Sequence, residues 1–330
     1  MAGTKIADIV FNTAFDQYFW RAVLEKSAVI RSGIAASDPR IAKLCAEAGF
    51  GGKTINMPFW NNLSGDAEIM DDNADITVNN LTAGQDVAVI LRRVKSWGMH
   101  DLAAEIAGDD PMKVLADKFA EYWAQQLQKT LFAHLGGVFA RNVAADGGDL
   151  VLDISGEPDE DALLSKDTLL YAAQLLGDVK NNLTAIAMHS QAETVLNIEG
   201  HGGYWKPAEN PALLPTYNGR QVVMDDGCAY DPATGVAEIY LFGQGAVALN
   251  DVAGKTPFEA ARDPLKGGGM EYLVTRRGWI GHVRGYKWVG TAVKPTPSNA
   301  ELSAASSWTR VWGRKDIRVV KLIAKLALLD

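Results

Sequence analysis

The chain of 330 residues is poor in features that would mark a secreted, membrane or catalytic protein. Its two cysteines, Cys45 and Cys228, are too few for a disulfide framework, so a reducing compartment is expected. No apolar run reaches membrane-spanning length. The start, MAGTKIADIVFNTAF, lacks the basic stretch and apolar core of a signal peptide. A net charge of −8 argues against a general nucleic-acid binder. The central α/β region has no GxGxxG, no phosphate-binding loop and no GxSxG, which leaves nucleotide-binding and hydrolase readings without an anchor. The most local absence is that of basic residues: Thr54 to Leu91 contains no Lys or Arg, yet carries Asp66, Glu68, Asp71, Asp72, Asp75 and Asp86.

What is present reads as an α+β chain. Thr13 to Lys26 has helical periodicity, and Ala28 to Ala36 reads as extended. Ser37-Asp38-Pro39 then starts a helix that stops at Gly49. Extended runs at Thr54–Trp60 and Gln85–Val94 flank the acidic segment, which predicts a long hairpin with a polar far end. Such a ribbon is marginal in water on its own, so a neighbouring subunit is expected to hold it. Asp109-Asp110-Pro111 opens the longest helix, expected to run to about Phe139. Its apolar residues step by four from Leu115 to Leu135, so the stripe winds around the helix and predicts packing on several sides. A Gly- and Asp-rich boundary at Ala145–Pro158 is followed by a helix from Ser165 through Val179 and a strand at Leu183–Met188. A capped helix is expected from Ser190. Asn218-Gly219 predicts a tight hairpin turn between Leu213–Tyr217 and Arg220–Met224, and one strand is expected over Val236–Leu249. Met270–Ile280 and Val283–Val293 are expected as two strands around Gly281-His282, with His282 structural. The basic tail, Arg310 to Lys325, reads as an amphipathic terminus docking on a partner.

Asp225-Asp226, at the end of a strand, poses the one catalytic question. With His189 and His201 the pair would suit a metal-dependent hydrolase, but no ligand spacing links them, and carboxylate and glycine are ordinary turn residues there. No cofactor is expected. The nine tryptophans, among them Trp60, Trp308 and Trp312, are anchors of the kind enriched at protein interfaces.

This order of parts resembles the major capsid proteins of tailed bacteriophages, with the Hong Kong 97-type fold. The resemblance rests on His189-Ser190, Thr216-Tyr217-Asn218-Gly219-Arg220, Asp225-Asp226 and Leu241-Phe242-Gly243-Gln244-Gly245-Ala246. It continues through Glu259, Arg262-Asp263, Arg276-Arg277, His282 and Gly285-Tyr286-Lys287-Trp288. Where family members often carry proline after that histidine, this chain has Val283. The resemblance implies an N-terminal arm (1–52), an extended hairpin (53–98), a peripheral domain with the spine helix (99–163), an inserted axial domain (164–268) and a return with a tail (269–330).

It further implies a non-enzymatic shell protein of a virion, assembled in the host bacterial cytoplasm as hexamers and pentamers. A portal protein, in some shells a decoration protein, and non-specifically packaged DNA are its implied partners, with no membrane. The start of the chain, almost directly in its arm helix, adds the expectation of a separate scaffolding protein and little trimming. Contact between subunits is expected from Trp60, Asp66, Glu68, Asp71, Asp72, Asp75, Arg92, Arg93, Arg276, Arg277, Trp308 and Trp312. With no lysine between Thr54 and Leu91, the shell should hold without isopeptide cross-links, Lys53 and Lys95 being the only flanking sources. An encapsulin-like cellular compartment is the alternative within the fold class.

Overall fold

A computed structural model describes residues 32–49, 51–63, 65–70, 75, 77–100, 111–198, 205–206, 215–252, 254–265 and 269–327. The expected helix at Thr13–Lys26 lies outside them, as do Asp71, Asp72 and His201.

The chain enters through a short strand, β1 (Ala35–Ala36), and then the helix α1 (Pro39–Ala48). Asp38 caps α1 by accepting from the Arg40 amide at 2.9 Å, and Gly49 ends it at φ 59°. The predicted hairpin follows as β2 (Thr54–Trp60) and β3 (Ala83–Val89), paired from Thr54 with Val89 to Trp60 with Ala83. The strand expected over Gln85–Val94 breaks at Ile90, whose amide bonds back to Lys53, and β4 (Leu91–His100) continues into another sheet. Helix α2 (Pro111–Ala145) runs past the expected Phe139 for a length of roughly 50 Å. Phe119, Trp123, Leu127, Leu131 and Leu135 are all buried on it, and Val138 and Phe139 join them. Gly137 lets another segment approach closely, because a Cβ there would sit 2.0 Å from the Leu302 carbonyl.

After β5 (Val151–Asp153), the helix expected to reach Val179 is shorter. It is α3 (Lys166–Gln174), capped by Ser165, and Gly177 at φ 64° then turns the chain into a 3-10 segment. Next come β6 (Leu183–Met188), α4 (Ser190–Ile198), β7 (Trp205–Lys206), β8 (Thr216–Tyr217) and β9 (Arg220–Met224). The Asn218-Gly219 turn has both residues at positive φ, 49° and 74°, as the sequence predicted for a tight hairpin. β10 (Tyr230–Asp231) pairs with β11 (Val236–Gly243). The single strand expected over Val236–Leu249 is two strands. β11 stays in this sheet, the chain turns at Gln244-Gly245 with Gly245 at φ 64°, and β12 (Val247–Asp251) enters the other sheet.

β13 (Phe258–Asp263) and β14 (Met270–Val283) complete that second sheet. The expected turn at Gly281-His282 is absent, since β14 runs through it and Gly281 pairs with Leu249. The chain turns instead at Arg284-Gly285, where Gly285 has φ 93°, and leads into β15 (Tyr286–Trp288). A one-turn helix, α5 (Asn299–Leu302), precedes β16 (Trp308–Arg310). The last strand is β17 (Val319–Lys325).

Two sheets organise the core. The first has eight strands in the order β5-β17-β11-β6-β9-β8-β7, with β10 beside β11. The second has the order β1-β12-β14-β13, with β4 on β14. The last part of the tail is therefore no docking terminus: β17 lies between β5 and β11 inside the first sheet. Val319, Val320, Leu322 and Ala324 are buried there, and the Lys321 ammonium bonds to Glu238 of the same subunit. Conversely, β12 and β13, expected in the inserted domain, pair with β14 in the second sheet.

Candidate functional site

The Asp225-Asp226 pair terminates β9 as a turn. Asp225 Oδ1 accepts from the Gly227 amide at 2.9 Å, and Asp226 Oδ1 accepts from the Ser190 amide at 3.2 Å, holding the first turn of α4. Burial pushes the Asp225 carboxyl up against the Gly227 bond, with help from the Asp226 charge. Bonds from Ser190 pull Asp226 down. His189 lies 3.6 Å from Asp226, and its Nδ1 accepts from the Gln191 amide. These groups close a turn and a helix start, and among the described residues no cluster of three or more His, Cys, Asp or Glu could hold a metal ion.

The aromatic and charged candidates separate into body and ribbon. Trp123, Trp279, Trp288 and Trp308 are core residues, and the Trp308 indole donates to the Leu302 carbonyl at 2.7 Å inside the subunit. Arg277 is also buried, with its guanidinium 4.7 Å from the centre of the Phe258 ring. Trp308 and Arg277 therefore leave the set of intersubunit contacts, because their surfaces are spent within the fold. Arg93 is half-buried and donates to the Pro297 carbonyl at 2.8 Å and to Asn299 at 3.2 Å, which fastens β4 to the segment before α5. Arg92 is half-buried on the same strand, and its amide donates to Thr296 Oγ1. Arg276 pairs with Glu259 at 2.7 Å on the surface.

On the ribbon, one of the six carboxylates lies in the flanking strand, as its place in Gln85–Val94 implies. Asp86 is not part of an acidic end. It is buried at the hairpin root and accepts from His282 Nε2 at 3.0 Å, from the Val87 amide at 2.9 Å and from the Gly285 amide at 3.3 Å. Burial raises its carboxyl, but the His282 charge and these bonds outweigh burial and hold it below the usual range. The pair could not be found from spacing, since 196 residues separate its members. Ile55, Ala88 and Ile90 seal the root against Ile41, Cys45, Ala248 and Ile280.

Beyond Trp60 the ribbon changes character. Trp60 is 68% exposed, Ile69 95% and Met70 91%, and Leu63 and Val78 are equally open. Asp66, Glu68 and Asp75 are exposed among them. Glu68 accepts from the Thr77 amide at 3.0 Å, which holds it below its ordinary value. Where the ribbon leaves the body, Phe59, Trp60, Asn61 and Asn62 face Val311, Trp312, Gly313 and Asp316 across a groove of about 410 Å³. Phe59 meets the half-buried Trp312 edge-on with ring centres 6.0 Å apart. The chemistry available here is non-covalent: an aromatic groove, an exposed apolar ribbon end and surface charge.

No family model matches the chain. It is 37% identical over 330 residues to the "Major capsid protein" of Bacillus phage SPP1, covering 99% of each. Among solved structures, the capsid of Ralstonia phage GP4 is similar at a TM-score of 0.58 and 12% identity, over 90% of this chain and 87% of that one. The Cyanophage Pam1 capsid asymmetric unit is similar at 0.56 and 13% identity, over 84% and 86%.

Proposed function

Because this chain belongs to the major capsid protein family of tailed phages, we propose that its hairpin is the arm through which subunits grip one another in hexamers and pentamers. The protein is a structural component of the virion, with the Hong Kong 97-type fold, and it self-associates into a shell. The observation that carries the proposal about the arm is the ribbon end, where Leu63, Ile69, Met70 and Val78 are exposed on a segment with no body of its own. Such side chains are stabilised only when another surface covers them.

Trp60, Asp66, Glu68, Asp71, Asp72, Asp75, Arg92, Arg276 and Trp312 remain the contact set, with Arg93 positioning β4 beside them. Asp71 and Asp72 belong to it by sequence alone. The axial domain is best drawn around the eight-stranded sheet, with β17 included and β12 and β13 assigned to the peripheral domain. Assembly in the host cytoplasm with a separate scaffolding protein, a portal protein at one vertex and, in some shells, a decoration protein completes the reading. Packaged DNA is met without sequence preference, in keeping with a net charge of −8.

Negative-stain microscopy and sedimentation of the purified protein, with and without its co-expressed scaffold, test this. Rings or closed shells are expected. A stable monomer at every salt and pH overturns it. With no lysine between Thr54 and Leu91, a ladder of oligomers that survives boiling in detergent and reductant would contradict a non-covalent shell.

A further inference from the structure

We infer that the segment 293–301 is a strap that sets the direction in which the hairpin leaves the subunit, with Thr296 and Arg93 as its positioning residues. The strap is a property of the single subunit, and its use in assembly rests on the shell reading above. The hairpin turns away from the body over one residue. Val89 ends β3 opposite Thr54 in the ribbon, Leu91 begins β4 opposite Trp279 in the second sheet, and Ile90 lies between them. The strand ladder is interrupted at this elbow, and Thr296 bridges the gap. Its hydroxyl donates to the Ile90 carbonyl at 3.2 Å and accepts from the Arg92 amide at 3.2 Å, so one side chain spans the break. Arg93, next on β4, donates to the Pro297 carbonyl at 2.8 Å and to Asn299 Oδ1 at 3.2 Å.

The strap is stiff, and it is mounted on the spine helix. Pro295 and Pro297 flank Thr296. A proline fixes its own φ and holds the residue before it extended, so Thr296 has little freedom to lose. Glu301 closes the loop: one carboxylate oxygen accepts from the Val293 amide at 2.8 Å and the other from the Ser298 amide at 2.7 Å. These bonds pull the Glu301 carboxyl down to about 2, so the clasp stays ionised at neutral pH. Leu302, next in the chain, is buried, and Gly137 of α2 carries no side chain to hold its carbonyl away. A line of contacts therefore runs from α2 through α5 and the strap to the elbow. The Asp86–His282 pair holds β3 at one point, which by itself is a pivot. Ile90 lies roughly 13 Å further along at the rise of a strand, and two anchors fix a direction.

The test is an electron-spin distance measurement on the full-length free subunit. Labels are placed at Ala83→Cys on β3 and Lys129→Cys on α2, both exposed, while Cys45 and Cys228 are buried. Thr296→Val keeps the shape but loses the hydroxyl, and Arg93→Met loses the donors. In each, the width of the distance distribution is expected to at least double. Thr296→Ser keeps the hydroxyl and should keep the wild-type width. Melting of each variant shows whether the subunit is folded, and Asn299→Ala replaces Arg93→Met if the latter is not. A lower melting temperature with an unchanged width would mean that these bonds only add stability, and it overturns the inference. Sedimentation of the same variants should show a severalfold lower yield of closed shells. A widened distribution with wild-type yield leaves the strap standing, and it is then the reading of the hairpin as the gripping arm that fails.

Discussion

At the root of the hairpin, Ile55, Ala88 and Ile90 are sealed by α1, β12 and β14, and Asp86 is fully bonded to His282 and two backbone amides. At the far end of the same ribbon, Leu63, Ile69, Met70 and Val78 stand in solvent beside Asp66, Glu68 and Asp75. The root is covered within one subunit, whereas the described residues of the end are exposed. A folded chain that leaves large apolar groups uncovered on a two-stranded extension is stable only because its root is anchored elsewhere. The root fixes where the ribbon leaves the body, and in the contact proposed above the end supplies surface for a partner.

The largest expected effect comes from breaking the root. Asp86→Ala leaves the buried His282 imidazole without its acceptor, and loss of one member of a buried pair costs about 3–5 kcal/mol. Urea unfolding of the free subunit should show a loss of this size, and a change under 1 kcal/mol would contradict the anchoring role.

Next is a pH effect confined to the body. His134 on α2 is buried against Trp308. Burial lowers its pKa from 6.5 to about 4, against the Thr130 carbonyl and aided by His282 and Arg93. A histidine lowered in the fold favours the neutral form. Its contribution is therefore fully present above the unfolded pKa and is lost as pH falls from about 6.5 towards 4, by up to about 3 kcal/mol. Asp86, also depressed, adds to the loss below the ordinary aspartate range. Unfolding titrations should show this slope, and His134→Gln should flatten it between pH 6.5 and 4; an unchanged slope would show that the proton binds elsewhere.

A smaller effect separates the root from the groove. A Cβ at Gly84 would sit 2.4 Å from Phe59 Cζ, so Gly84→Ala must displace the ring from Trp312. Because the Phe59 ring is half-buried beside the groove and can swing, the cost should stay at about 1 kcal/mol or below, under that of overpacking a closed core. Tryptophan fluorescence should change with it, while an unaltered spectrum and stability would mean that the ring moves freely.

The smallest effect on the subunit sharpens the comparison most. Ile69→Ser with Met70→Ser should change unfolding free energy by less than about 0.5 kcal/mol, as exposed sites do. Shell yield should nonetheless fall severalfold. Equal yields would show that this end meets only water.

Local chemistry made much of the chain legible in advance. The cap at Asp38 with its stop at Gly49, the spine helix from Pro111 and the Asn218-Gly219 turn were readable because each depends on residues within a few positions, and the hairpin over Thr54–Val89 because two extended runs flank a polar segment. The resemblance to shell proteins was readable for the same reason, as a series of short local patterns. Other features rest on partners far along the chain, and there the sequence misled. Gly281-His282 looks like a turn, but pairing with β12 keeps β14 straight and moves the turn to Gly285. The basic residues of the tail suggested a surface, yet the apolar residues between them place β17 inside a sheet, where Glu238 neutralises Lys321. Asp86 counted as one more acid of an acidic segment until β14 brought His282 to it. Composition fixes how much apolar surface and charge a segment carries. Only the tertiary structure decides which of it is covered by the subunit itself, because burial and pairing are set by neighbours in space.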